Sequence, residues 1–305
     1  MASRILITSK RTGLGSDLAT VVGAWAYARD TGRALAVDWR RSRYLDDPDA
    51  NLFFELFDPP RWLAGVEILP EQAVAEASER AEASLSAASE ADFLRRLFRS
   101  EDLPAEVLSC ERTMHVLPGL DHQRAMFSAL RPKAEIEQLV ETISSSEFGP
   151  RRTIGVHVRH GNGEQLKSGR EEFTPETGPR VVERIEQLVS LLGADRPKVL
   201  VCTDGPELEA ELLARLPGAF ATDRPRDEAG QGPLHVSRHG LAGARAALVD
   251  MLLLARVDIL IHNNSWFSHY ARIMGKFVLD PVNLDPGSDY GANAYFLRRL
   301  AQAQA

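Results

Sequence analysis

The chain has 305 residues, 36 Lys+Arg against 43 Asp+Glu for a formal net charge of −7, and two cysteines. That length suffices for two ordinary domains with a sizeable core, the composition is that of a soluble globular protein, and the acidic balance disfavours a bulk nucleic-acid binder, which carries a basic excess. With no CxxC or Cys/His cluster there is no zinc signature, apolar runs fall short of the ~18 residues of a spanning helix, and the start MASRILITSK is too short for a signal peptide, so a cytoplasmic protein without a transmembrane segment is expected.

Taken in order, the chain opens with a β-α-β unit. Ile5-Leu6-Ile7 is a short continuous apolar run, as in a strand buried on both faces. The loop Lys10 to Gly15 follows, then a helix from Leu18 to Arg29 stopped near Gly32, then a strand from Ala34 to Trp39. Asp46-Asp47-Pro48-Asp49 contains a DxD string of the kind many glycosyltransferases use for a metal. Its turn-like setting reads instead as a solvated loop. The Ala/Glu/Ser-rich stretch within 72–98 favours a helix, with Phe93, Leu94, Leu97 and Phe98 as its apolar stripe, and its low complexity also fits a mobile segment. Thr113 to Leu117 reads as a strand and Arg131 to Ser144 as a helix. Pro150 and Arg151-Arg152 mark a domain boundary, giving domains 1–150 and 151–305.

The second half alternates. Strands are expected at Thr153–Arg159, Lys198–Thr203, Val257–His262 and Lys276–Leu279. Helices are expected at Pro179–Leu192, Pro206–Leu216, Ala242–Arg256 and Trp266–Met274. This pattern predicts parallel sheets covered by helices, and the expected fold class is α/β, two Rossmann-like domains facing a cleft. Ligands in such sheets sit beyond the carboxyl ends of the strands.

Four segments carry chemistry. In TIGVHVRHGNGE, Gly155, His157 and Arg159 share one strand face. Arg159 offers two parallel hydrogen bonds to phosphate oxygens, and the glycines that follow permit close backbone approach. The bland alternative is an arginine paired with a structural carboxylate and a satisfied core histidine. In VLVCTDGP, Asp204 either caps the helix that Pro206 opens or belongs to the site, while Cys202 reads as a buried free thiol. In the helix expected at Ala242–Arg256, Asp250 lies on an apolar face, costly unless it is paired or faces a ligand. A guanine base, with two adjacent N–H donors, would suit it. Ser265 is a good N-cap, at a helix start suited to a pyrophosphate. The first loop, KRTGLG, suits an anion but is neither a full GxGxxG fingerprint nor a P-loop, which weighs against a dinucleotide oxidoreductase.

RTGLGSDL, GAWAYARDTGRALAVDWRRSRYL, IGVHVRHGNGE, VLVCTD and QGPLH…GLAGARAALVDMLLLAR resemble, in order, segments of the rhizobial nodulation-factor α-1,6-fucosyltransferases (NodZ). The animal α-1,6-fucosyltransferases are similar more weakly. Residues of about Arg61 to Arg112 do not resemble the rhizobial proteins. The resemblance implies a GT-B-like, metal-independent glycosyltransferase. It would invert the anomeric centre of GDP-fucose and link fucose to O6 of an N-acetylglucosamine-type, chitooligosaccharide-like acceptor. It also implies that the C-terminal domain binds the donor and the N-terminal domain serves the acceptor. His157 and Asp250 would recognise guanine, Arg159 would hold the β-phosphate, and Gly13 and Gly15 would line the nucleotide. Asp204 and Ser265 match positions the wider family needs, and Glu164 falls where the family places a general base. The alternatives are another GDP-sugar transferase or an O-fucosyltransferase with a different acceptor, and a non-catalytic nucleotide-sugar-binding relative.

Overall fold

The structure, a computed structural model, describes residues 4–114, 118–159, 178–192, 197–223, 239–263 and 265–284. The described residues divide into two compact units between Lys133 and Ala134.

In the first unit, β1 (Ile5–Thr8), β2 (Ala34–Val37), β3 (Ala83–Ser84) and β4 (Val107–Cys110) form a sheet of order β2-β1-β4-β3. All its neighbours run parallel. Ile5, Ile7, Ala34, Ala36 and Val107 pack one face against Val74 and Ala77 of α2 (Glu71–Glu79). The opposite face is covered by α1 (Leu14–Thr31), a helix buried along nearly its whole length from Leu14 to Ala28. Gly23 explains how α1 fits so closely. A Cβ there would stand 1.6 Å from the Met114 carbonyl oxygen.

The region 72–98 is not one helix. α2 ends at Glu79, the edge strand β3 intervenes, and α3 (Glu90–Arg99) starts afresh with Ser89 accepting from the Asp92 amide. Three of the four stripe residues, Phe93, Leu94 and Leu97, are buried, whereas Phe98 is 57% exposed. The strand expected at Thr113–Leu117 is replaced by β4, because Val107–Cys110 can align residue for residue with β1. Thr113 and Met114 are loop, and 115–117 lie outside the described residues. The DxD string is exposed, with the Asp47 carboxylate accepting from the Asp49 amide at 2.9 Å, a local turn.

The second unit begins earlier than Pro150. Its first helix, α4 (Ala134–Ile143), packs on α7 (Gly240–Leu254). Arg245 pairs with Glu135 at 3.3 Å, and Arg256, just beyond α7, pairs with Glu141 at 2.6 Å. Arg131 and Pro132 stay with the first unit, paired antiparallel to Phe57–Asp58, so the helix starts only at Ala134. The sheet comprises β5 (Thr153–Val158), β6 (Lys198–Thr203), β7 (Ala219–Phe220), β8 (Ile259–His262) and β9 (Val282–Asn283). Its order is β7-β6-β5-β8-β9, all parallel. The strand expected at Lys276–Leu279 is absent. Val278 and Leu279 are exposed, and Val282–Asn283 pair with Ile261–His262 instead.

β5 has two distinct faces. Ile154, Val156 and Val158 join Val182, Ile185 and Val189 of α5 (Gly178–Leu192) and Leu208 and Leu212 of α6 (Pro206–Arg215) in one apolar core. On the other face a Cβ at Gly155 would come within 2.8 Å of Leu254 in α7. The His157 side of the strand is thus the side that α7 covers. Among the described residues no helix is long and apolar enough to cross a membrane. Cys110 and Cys202 are both buried free thiols, and burial pushes Cys110 up to about 11.

Helix propensity alone would make Gly23→Ala stabilising by up to about 1 kcal/mol. The Met114 carbonyl reverses that sign, and urea unfolding of Gly23→Ala is expected to show a loss of at least about 1–3 kcal/mol.

Candidate functional site

Chain order and strand order diverge at β5. The chain passes from β5 to β6 and β7 on one side, then returns to place β8 and β9 on the other. The carboxyl ends of β5 and β8 are therefore a topological switch point, where an open parallel sheet leaves a crevice. His157 and His262 are register partners at this end.

Asn263, which follows β8, fastens the two strand ends together. Its Oδ1 accepts from the Arg159 amide at 2.8 Å, its Nδ2 donates to the Arg159 carbonyl at 3.0 Å, and its own amide donates to the His157 carbonyl at 3.2 Å. At the opposite end Asp258 accepts from the Thr153 amide at 2.8 Å. The β5–β8 pair is thus tied by side chains at both ends.

This clamp aims Arg159. Its Nη1 pairs with Asp204 at 3.0 Å, with the carboxylate side chain 9% exposed and the guanidinium 31% exposed. Asp204 is not the cap of α6. The N-cap is Gly205, with no side-chain cap, and Pro206 occupies the first turn. The bidentate geometry that suits Arg to a carboxylate or phosphate is therefore offered from a guanidinium already anchored by one carboxylate.

His157 is buried, and its Nε2 lies 3.0 Å from Ser265 Oγ, with its ring stacked on Phe267 at 4.8 Å. Burial, chiefly, lowers it to about 3, so the ring is neutral at pH 7 and adds no positive charge beside Arg159. Ser265 also opens α8 (Trp266–Met274) through a capping box, its Oγ accepting from the Ser268 amide at 3.0 Å. The positive end of that helix lies just beyond β8. Asp250 sits 1% exposed in α7, and its Oδ1 accepts from Thr222 Oγ at 2.6 Å. The structure thus brings together His157 with Ser265 and Arg159 with Asp204, and it gives Asp250 a separate hydroxyl partner. Glu164, with the loop His160 to Gly163, lies outside the described residues.

The first unit has its own switch point, between β1 and β4. Gly13 is the N-cap of α1 and Gly15 lies in its first turn. The loop before them is shaped by a residue the sequence reading missed. Asp17, 2% exposed, accepts from both the Thr12 amide and the Thr12 hydroxyl at 2.7 Å through one oxygen. Burial outweighs these bonds and raises its carboxyl to about 7. The signal was present in the sequence: a carboxylate within the apolar run that becomes α1.

The sequence profile of the Nodulation protein Z (NodZ) family matches residues 2–85 and 71–293. It thus runs through the region of about Arg61 to Arg112, where no resemblance was expected. The Azorhizobium caulinodans Nodulation protein Z is 33% identical over 303 residues, covering 91% of each chain. That of Bradyrhizobium diazoefficiens is 30% identical over 308 residues, 93% of this chain and 82% of the relative. Among solved structures, NodZ α-1,6-fucosyltransferase co-crystallized with GDP has a TM-score of 0.71 at 27% identity, over 90% of this chain and 93% of that one. POFUT1 in complex with GDP, at 14% identity and a TM-score of 0.59 over 93% and 98% of the chains, shares the fold.

Two measurements check this geometry. Asn263→Ala strips both backbone groups of Arg159 of their partner and is expected to cost about 1–3 kcal/mol in urea unfolding. Asp17 contributes stability that is complete below about pH 4, its unfolded value, and is lost as pH rises to about 7. Between those limits the stability advantage of Asp17→Asn over the wild type should therefore grow by a few kcal/mol and then level off. A difference independent of pH would contradict the raised carboxyl.

Proposed function

This chain belongs to the Nodulation protein Z family, and on that footing we propose that it is a glycosyltransferase that moves fucose from GDP-fucose to O6 of an N-acetylglucosamine-type, chitooligosaccharide-like acceptor. The observation that carries the reading is the clamped Arg159–Asp204 pair at the switch point of the C-terminal unit. The solved NodZ structure soaked with GDP-fucose, 26% identical with a TM-score of 0.68 over 90% of this chain and 93% of that one, supports the donor.

In this mechanism GDP is the leaving group, and the barrier is lowered where charge grows, on the β-phosphate. Arg159 donates to those oxygens. Asp204 restrains the guanidinium, and Asn263 fixes the main chain that carries it, so little reorganisation is left for the moment of transfer. Because a fixed cation supplies this stabilisation, no metal is required. His157 and Asp250 are assigned to the guanine end, His157 as a neutral ring. Ser265 orients that ring and places the first-turn amides of α8 near the diphosphate. Gly13 and Gly15 contribute loop backbone to the nucleotide. Glu164 is the nominated base that takes the proton from the attacking acceptor hydroxyl, with inversion at the anomeric carbon.

The test is incubation with GDP-fucose and chitooligosaccharides, followed by mass spectrometry for one added fucose. Arg159→Ala is expected to lower turnover by about 10²-fold or more, and excess EDTA to leave the wild-type rate unchanged. Near-normal turnover of Arg159→Ala, or a strict divalent-metal requirement, would contradict the mechanism. A thermal shift with GDP that UDP and ADP fail to match would support the base assignment.

A further inference from the structure

Asp38, Trp39 and Arg40 follow β2 in the first unit, and the reaction just described gives them no part. Alternation along the strand separates them. Trp39 is buried edge-on against Phe53, with ring centroids 5.5 Å apart. Asp38, 4% exposed, meets α2, where its Oδ2 accepts from Ser78 Oγ at 2.9 Å. The same carboxylate takes Arg40 in a fork, Nε at 2.9 Å and Nη2 at 2.7 Å, and also the Arg40 amide at 3.2 Å.

The main chain is held as firmly. Buried Asn51 accepts from the Trp39 amide at 3.1 Å, donates to the Val37 carbonyl at 2.8 Å, and bridges Arg40 across the loop. A guanidinium fixed this thoroughly is still 26% exposed, and its Nη1 has no hydrogen-bond partner among the described residues. It stands at the carboxyl end of a parallel strand, the end at which such sheets hold ligands.

We propose that Arg40 is a specificity-determining residue that donates through Nη1 to an uncharged oxygen of the acceptor sugar, a hydroxyl or an N-acetyl carbonyl, with Asp38 and Ser78 as its positioning residues. The inference rests on the transferase reading above. Charge selects the class of ligand. Asp38 already takes Nε and Nη2 of the guanidinium, and Asp49 and Glu79 add further negative potential at Arg40, so a pyrophosphate gains little there. The Nη1 donor that is left suits a neutral oxygen.

Arg40→Gln, Arg40→Lys and Ser78→Ala are compared with wild type for acceptor KM, GDP Kd and Tm. Losing a hydrogen bond from a charged donor should raise the acceptor KM of Arg40→Gln about 10-fold or more, with GDP Kd unchanged. Arg40→Lys should not restore it, because the single nitrogen of an ammonium cannot both fill the planar fork and place a donor where Nη1 stands. Ser78→Ala should show a smaller rise in the same direction, and it carries the test should Arg40→Gln fail to fold. A lowered Tm with unchanged acceptor KM, or a raised GDP Kd with unchanged acceptor KM, overturns the proposal. No transfer by the wild type overturns the transferase reading as well. Normal wild-type transfer with an indifferent Arg40→Gln overturns this inference alone.

Discussion

One buried carboxamide, that of Asn263, sets the geometry on which the C-terminal site depends. Parallel pairing of β5 with β8 ends at His157 and His262, and nothing in a sheet ladder dictates the path of the chain beyond that point. Asn263 supplies what the ladder lacks: an acceptor for the Arg159 amide and a donor for its carbonyl. Because its side chain and the backbone it serves sit at the switch point, satisfying buried polar groups and orienting a guanidinium become the same requirement. Asp204 completes the arrangement from the neighbouring strand.

Burial then sorts the titratable groups. His157 is held neutral because burial penalises its charge. Asp17 is pushed toward neutrality for the same reason while it shapes the loop after β1. Arg159 and Arg40 each pair with a carboxylate and keep part of their surface in water. The two units thus repeat one device, a paired arginine just past a strand end, on separate parallel sheets.

Much of this was legible in the sequence, and the failures have physical causes. Lys198–Thr203 and Trp266–Met274 were read to the residue, since apolar runs and caps are local signals. β4 and β9 were missed or misplaced because which short apolar run becomes a strand depends on the partner available, Ile5–Thr8 in one case and Ile261–His262 in the other. At the site, Arg159, Asp204 and Ser265 could be picked out by type and position. Asn263 could not be assigned its clamp, because that follows from the register of β5 against β8. Asp250 was flagged as a carboxylate needing a partner, but Thr222 lies 28 residues away, in the loop after β7. The same argument applied to α1 would have found Asp17. The pair of Asp38 with Arg40 is hidden in a short string whose tryptophan draws attention to the core.

In the proposed mechanism Arg159, held by Asn263 and Asp204, is the cation that meets the diphosphate of the donor. A crystal structure of the chain with GDP tests it most directly. The expected result is β-phosphate oxygens within hydrogen-bonding distance of the Arg159 guanidinium, beyond the carboxyl ends of β5 and β8. GDP bound elsewhere, with Arg159 still paired with Asp204, would contradict the mechanism.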